Sequence, residues 1–197
     1  MKWPLDQMLI VDVESTCWKD RIAPPSEESE IFQVGVCLFN VATALPHGKR
    51  SLIVRLERSR ISEFCTELTG FTQADVDKGI SFRLACSILQ KEYQTKQRTW
   101  GSWGNYDKNQ FTDQCRDRGI AYPFGGRHQN LKNFFAVLMG LPEEVEIPDA
   151  LKLLGMSFVG ILHRGDDDAW NIGRVLSELC TMTRILQKFS SSTDAYQ

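Results

Sequence analysis

Residues 8–13, MLIVDV, decide the fold of this chain. They form a short apolar run rich in β-branched residues, the pattern of a strand buried on both faces. Two carboxylates follow in its rhythm: Asp12 and Glu14 are two apart, and a period of two predicts both on one face of the strand. Like charges in a mostly apolar strand repel and are poorly solvated, so protonation, a basic partner or a metal has to offset the cost. A strand end pointing into water meets the same need.

Downstream lies a polar loop with Pro24-Pro25 and Ser26-Glu27-Glu28-Ser29. Residues 31–39, IFQVGVCLF, and 51–56, SLIVRL, read as two further strands, joined by a connection containing Pro46 and Gly48 that suits a hairpin. The period then changes to about 3.6. Ser62, Thr72 and Ser81 are placed to cap helices, and Gly70 and Gly79 to end them. From Ser81 to about Gln97, the stripe Phe82, Ala85, Leu89 and Tyr93 predicts an amphipathic helix. Residues 98–103, RTWGSW, resemble a fourth strand, and 107–118 a helix ending at Gly119. Residues 130–139 and 149–154 read as two more helices. A final helix from about Asp168 to Lys188 carries Ile172, Val175, Leu176, Leu179 and Leu186 on one stripe. Strands first and helices interleaved later predict an α/β fold, a mixed sheet with helices packed against it.

Composition narrows the function. The 197 residues include 23 Lys+Arg against 25 Asp+Glu, a net charge of −2, which excludes electrostatic coating of nucleic acid by a strongly basic protein. Hydrophobic residues at 42% and charged residues at 24% exclude disorder and collagen, and the length predicts one domain without internal repeats. No stretch approaches the roughly 18 apolar residues of a membrane helix. The N-terminal MKWPLDQ lacks the apolar core of a signal peptide, so a soluble, cytoplasmic protein is expected. The cysteines at 17, 37, 65, 86, 115 and 180 form no CxxC pair, which predicts reduced, packed thiols rather than zinc ligands or disulfides.

Two further acidic positions carry potential chemistry. Asp107 follows the fourth strand in Trp103-Gly104-Asn105-Tyr106-Asp107, where it also suits the N-cap of the next helix. His163 precedes Arg164-Gly165-Asp166-Asp167-Asp168 on a glycine-containing loop that can fold back beside Asp168. Three aspartates at a helix N-terminus also complement its dipole. Together, four carboxylates suit hard cations such as Mg²⁺ or Mn²⁺, and a pair of such ions about 4 Å apart clamps the attacking and leaving oxygens of a phosphodiester. A histidine of near-neutral pKa beside them can take the proton of the attacking water.

The series LIVDVESTC (9–17), WGNYDKNQF (103–111) and HRGDDDAWNIG (163–173) resembles the three motifs of the DEDDh 3′→5′ exonucleases, the superfamily that includes RNase T and the proofreading subunit of DNA polymerase III. FCTELTGFTQADVD, TDQC and HQNLKNFFAVLMG resemble the branch typified by the histone-mRNA 3′-end exoribonuclease and its prion-associated relatives. The resemblance implies an RNase H-like fold with a five-stranded mixed sheet, the third strand of the meander at an edge. It implies an exonuclease domain over 1–189, followed by a polar tail over 190–197.

By the same resemblance Asp12 bridges two divalent cations, Mg²⁺ or Mn²⁺, Glu14 and Asp168 bind the first, Asp107 holds the second through water, and His163 is the general base. The implied activity is release of 5′-nucleoside monophosphates from the 3′ end of single-stranded RNA, with single-stranded DNA left open. A DNA proofreading or repair exonuclease and a catalytically silent nucleic-acid-binding module are the competing readings. Substrate contacts are expected from Tyr106, which can stack on the terminal base or pack as a core aromatic, and from Phe64, Leu68 and Thr69 at the nucleotide pocket. Backbone amides at Val13 and Glu14 are expected to face the terminal sugar. Arg127, His128 and Lys132 form a basic cluster that suits either phosphates or a solvated helix face. The histone-mRNA enzymes carry an additional N-terminal nucleic-acid-binding domain; with the first motif starting near Met8, a compact catalytic domain without stem-loop recognition is expected.

Overall fold

The computed structural model describes residues 5–193, with side chains through Arg184. Strands β1 (Gln7–Ser15), β2 (Ile31–Asn40) and β3 (Leu45–Ile53) form an antiparallel meander. Strands β4 (Trp100–Ser102) and β5 (His128–Asn130) add in parallel beyond β1. The order β3-β2-β1-β4-β5 puts β1 at the centre and β3 at an edge, as expected.

The period of two sorts β1 onto two cores. Leu9, Val11 and Val13 pack beneath α3 (Phe82–Glu92) and α4 (Tyr106–Asp117), against Phe82, Leu89 and Phe111. Ile10 points to the opposite face, toward α5 (Leu131–Leu138), α6 (Ile147–Leu153) and α7 (Gly165–Thr193), with Phe135, Leu151 and Ile172. Asp12 and Glu14 share the parity of Ile10, so the apolar α7 face ends where the carboxylates begin.

The start of α7 lies almost directly on the sheet. A Cβ on Gly35 would sit 1.9 Å from the Gly165 backbone, and one on Gly165 would lie 2.9 Å from the Asp12 carbonyl oxygen. Gly35 pairs with Asp12 across β1 and β2, so this glycine lets the helix approach the carboxylate-bearing end of β1. Gln33, buried beside it, accepts from the Gly165 N–H at 2.9 Å and donates to Asp166 at 3.1 Å.

Several boundaries differ from the sequence expectation. The third strand begins at Leu45 rather than 51, and Pro46 and Gly48 lie inside it. An edge strand tolerates the missing proline donor, and Gly48, at φ 64°, takes the extra-residue position of a bulge opposite Val36–Leu38. The expected helix to Gln97 stops at Glu92, because Tyr93 caps it and Gln94 turns to φ 54°. The short α1 (Glu63–Thr69) and α2 (Gln73–Val76) follow Ser62 and Thr72 as their caps suggest. The last helix begins at Gly165, three residues before Asp168, which places all three aspartates in its first turn. The side chain of Leu186 and residues 194–197 of the polar tail lie outside the described residues. Among the described residues, no helix is long and apolar enough to cross a membrane.

Candidate active site

Three elements deliver the four carboxylates. Asp12 and Glu14 come from the C-terminal end of β1, Asp107 from the first turn of α4, and Asp168 from the first turn of α7. One carboxylate oxygen from each of Asp12, Glu14 and Asp168 lies within 4.8 Å of the others. Asp107, His163 and these three line one cleft of about 370 Å³, within the about 300–1,000 Å³ typical of small-ligand sites. Sequence-distant motifs thus converge as expected.

Asp107 does not cap its helix; Asn105 holds the N-cap position. The Asp107 carboxylate instead accepts the Val13 N–H at 2.9 Å, which ties α4 to the strand between Asp12 and Glu14. This also corrects the expectation for Val13: its amide is already committed to Asp107 and is not offered to a terminal sugar.

Burial raises all four carboxyl pKa values, and repulsion from neighbouring carboxylates adds to the rise at Asp12, Glu14 and Asp168. Desolvation, reinforced by Asp107, Asp168 and Glu14, holds Asp12 well above the usual carboxylate range. Glu14 is pushed to about 8, first by burial and then by Asp168 and Asp107. Burial takes Asp168 to about 7 and Asp107 to about 6. Both oxygens of Asp168 are buried without a hydrogen-bond partner. Buried, unpartnered carboxylates cost free energy unless a proton or a cation satisfies them. The donor set, all carboxylate oxygen, fits a hard divalent cation such as Mg²⁺ or Mn²⁺.

His163 ends the loop between α6 and α7 at φ 61°, a left-handed conformation in which histidine is among the more tolerated residues. Burial lowers its pKa, opposed by the nearby Glu146, so the ring is neutral near pH 7 and able to accept a proton. Arg164 stacks 3.7 Å over the Phe71 ring and donates to the Gly70 carbonyl at 3.2 Å, bracing α1 against the start of α7. Its charge partly offsets the rise at Glu14.

The expected substrate contacts are scattered. Tyr106 lines the cleft and is 55% exposed, which excludes the core-aromatic alternative. Phe64, Leu68 and Thr69 lie on α1 outside the cleft lining, and Thr69 is buried with its hydroxyl donated to the Cys65 carbonyl at 2.8 Å. Lys132 is paired with Glu146 at 2.6 Å, beside the cleft. His128 leaves the basic cluster altogether: it packs 4.4 Å from Trp100, contacts the Ser102 hydroxyl at 2.9 Å, and burial depresses its pKa to about 4. Arg127 is exposed at the start of β5. Trp103, Glu146 and Leu162, which the sequence reading did not select, also line the cleft. The run Glu143-Glu144-Val145-Glu146 before Pro148 was the one local hint of an acidic rim.

Fold and site together define a nuclease of the RNase H-like class. Residues 9–176 match the model of the RNase_T family, described as Exonuclease, and the chain belongs to that exonuclease family. It is similar to the 3′-5′ exonuclease Snipper of Drosophila melanogaster, at 27% identity over 97% of this chain and 74% of the relative. Human 3′-5′ exoribonuclease 1 is 31% identical over 86% of this chain, which spans 51% of that relative's length. The nuclease domain of 3′hExo, a DEDDh family member solved bound to rAMP, superposes with a TM-score of 0.80 at 27% identity, covering 93% of this chain and 92% of that one.

Proposed function

We propose that this exonuclease releases 5′-nucleoside monophosphates from the 3′ end of single-stranded RNA, with Asp12, Glu14, Asp107 and Asp168 as metal ligands and His163 as general base. The observation that carries the reading is the convergence of Asp12, Glu14 and Asp168 within 4.8 Å, with both Asp168 oxygens lacking any partner. Two divalent cations, Mg²⁺ or Mn²⁺, would supply Lewis acidity and an acidified water at that cluster. Asp12 clusters with Glu14 and Asp168 and also feels the charge of Asp107, which suits it to both ions.

The remaining roles belong to the chain's own groups. The neutral His163 ring takes the proton of the attacking water, and its lowered pKa keeps the accepting nitrogen free at pH 7. Tyr106, exposed on the cleft, stacks on the terminal base, a contact that tolerates any base because each offers a π-face. RNA is favoured over DNA because the relatives include 3′-5′ exoribonuclease 1 and the rAMP-bound nuclease domain. A cytoplasmic site of action suits six cysteines that are all unpaired.

The test is digestion of 5′-labelled single-stranded RNA and DNA with Mg²⁺ or Mn²⁺ titrated from zero. The expected result is a metal-dependent ladder shortening from the 3′ end, faster on RNA, and abolished in Asp12→Ala. Equal rates on both polymers would remove the RNA preference. No hydrolysis of either would leave a silent binding module.

A further inference from the structure

The general base stands on a segment without regular structure, which leaves α6 near Gly155 and enters α7 at Gly165. Such a placement needs restraint, because a misplacement of about 1 Å can cost about a hundredfold in rate. Two side chains of α7 provide it. Asn171, fully buried, accepts the Val159 N–H at 3.1 Å and donates to the Val159 carbonyl at 2.8 Å, closing a two-bond clasp on the loop. Asp167 accepts the Ile161 N–H at 3.0 Å, two residues before His163. Arg174 extends the clasp, donating to the Ser157 carbonyl at 2.7 Å and to Asn171 at 2.8 Å.

Gly160 shows how closely the loop sits on this anchor. Its φ is 99°, and a Cβ there would fall 2.2 Å from an Asp167 carboxylate oxygen. Any other residue would displace the carboxylate or the loop. Neither Asp167 nor Asn171 lines the catalytic cleft, although Asp168, between them, does. The helix turn that presents a metal ligand therefore also grips the loop that presents the base.

We propose that Asp167 and Asn171 are positioning residues for His163, clamping residues 157–161 to α7 so that the imidazole and the Asp168 carboxylate keep one fixed relationship. This inference rests on the reading of His163 as general base. Asp167 has a competing role as the partner of Lys49, whose Nζ lies 2.5 Å from it. The two roles make different predictions: a surface ion pair belongs to stability, whereas a positioning residue acts only through His163.

The experiment is a double-mutant cycle on the metal-loaded enzyme, with kcat, KM and melting temperature measured for each variant. His163→Ala is expected to lower kcat by about a hundredfold or more. Asp167→Ala and Asn171→Ala are each expected to lower kcat by about ten- to a hundredfold with KM nearly unchanged. In the His163→Ala background the same substitutions should cost less than about twofold, because nothing remains to be positioned. Asp167→Asn keeps the acceptor for Ile161 and should retain most of the rate, and Lys49→Ala should leave it unchanged. Losses that add in the double variants, a rise in KM at constant kcat, or wild-type kcat in Asp167→Ala would each overturn the proposal. If an alanine variant fails to fold, Gly160→Ala applies the same displacement from the exposed loop and must reproduce the loss and its non-additivity. A wild-type rate in His163→Ala would instead refute the general-base reading itself.

Discussion

The carboxylate of Asp107 accepts a hydrogen bond from the Val13 backbone N–H at 2.9 Å. One side chain thereby fixes the N-terminus of α4 against the central strand, at the residue that separates Asp12 from Glu14. Its structural and chemical roles can be separated. Asp107→Asn keeps an oxygen acceptor for Val13 and removes the charge, so it should fold normally while losing about a hundredfold or more in kcat. Asp107→Ala should lose the same rate and about 1–3 kcal/mol of stability, because the Val13 N–H is left buried and unpaired. Steady-state rates on labelled RNA and thermal melts of both variants check this. Equal stability of the two would show that the Val13 bond is dispensable.

The carboxylate cluster sets a pH dependence of stability. Glu14, Asp168 and Asp107 titrate near 8, 7 and 6 in the folded protein, above their ordinary values of 4.5, 3.8 and 3.8. Between the two sets of values the native state binds more protons than the unfolded one, so stability rises as pH falls. The metal-free protein should therefore melt at a higher temperature at pH 6 than at pH 8. Saturating Mg²⁺ should raise the melting temperature more at pH 8 than at pH 6. His128 works in the opposite direction: its folded value near 4 lies below the ordinary 6.5, so stability is lost as pH falls from about 6.5 toward 4. One histidine offsets only part of what three carboxyls contribute, so melting without metal should go on rising below pH 6, less steeply than between pH 8 and 6, and Glu14→Gln should stabilise the metal-free protein at pH 8 by about 1 kcal/mol after solvent screening. A melting temperature that climbs steadily from pH 6 to 8 in chelator would contradict the repulsion argued here.

Gly35 should be irreplaceable. A methyl group there meets the Gly165 backbone, which cannot move without carrying Asp168 away from Asp12. Gly35→Ala is expected to cost about 3 kcal/mol or more and to abolish hydrolysis in whatever fraction folds. Gly126→Ala, at a position with open space around it, should be neutral in both melting and rate. Near wild-type activity in Gly35→Ala would mean that α7 tolerates displacement from the sheet.

The buried pair Arg118–Glu30 sits just before β2, where the Glu30 carbonyl accepts the Thr16 N–H beyond the end of β1. Glu30 is 2% exposed and accepts from the backbone N–H groups of Glu57, Arg58 and Ser59 as well as from Arg118 at 2.9 Å. Arg118→Ala strands that charge and should cost about 3–5 kcal/mol, measured by chemical denaturation. The exposed Arg116 makes ion pairs of similar length with Asp113 and Asp117, yet Arg116→Ala should change stability by less than about 1 kcal/mol. Equal losses in the two variants would refute the role assigned to burial.

Much of this architecture is legible along the chain. Alternation in residues 9–14 placed Asp12 and Glu14 on one face, and the apolar stripe of 172–179 placed a long helix against it, because both follow from local periodicity. The five candidate catalytic residues were readable from three short motifs in order. Strand β5 was not, since three residues with a half-exposed pattern carry no period. The start of β3 was misread for a related reason: proline and glycine signal a turn locally, and only pairing with β2 turns them into an edge strand with a bulge.

The sequence by itself determined which residues are candidates for the chemistry and most of the helices and strands that present them, because side-chain type and short-range spacing are local properties. Tertiary structure decided what those residues are free to do. It spent the Val13 amide on Asp107, neutralised His128 by burial, paired Lys132 with Glu146, and left the Asp168 oxygens without a partner. These outcomes depend on groups well separated in the chain, from 14 residues for Lys132 and Glu146 to 94 for Val13 and Asp107, and desolvation and hydrogen bonding act on distance in space rather than along the chain.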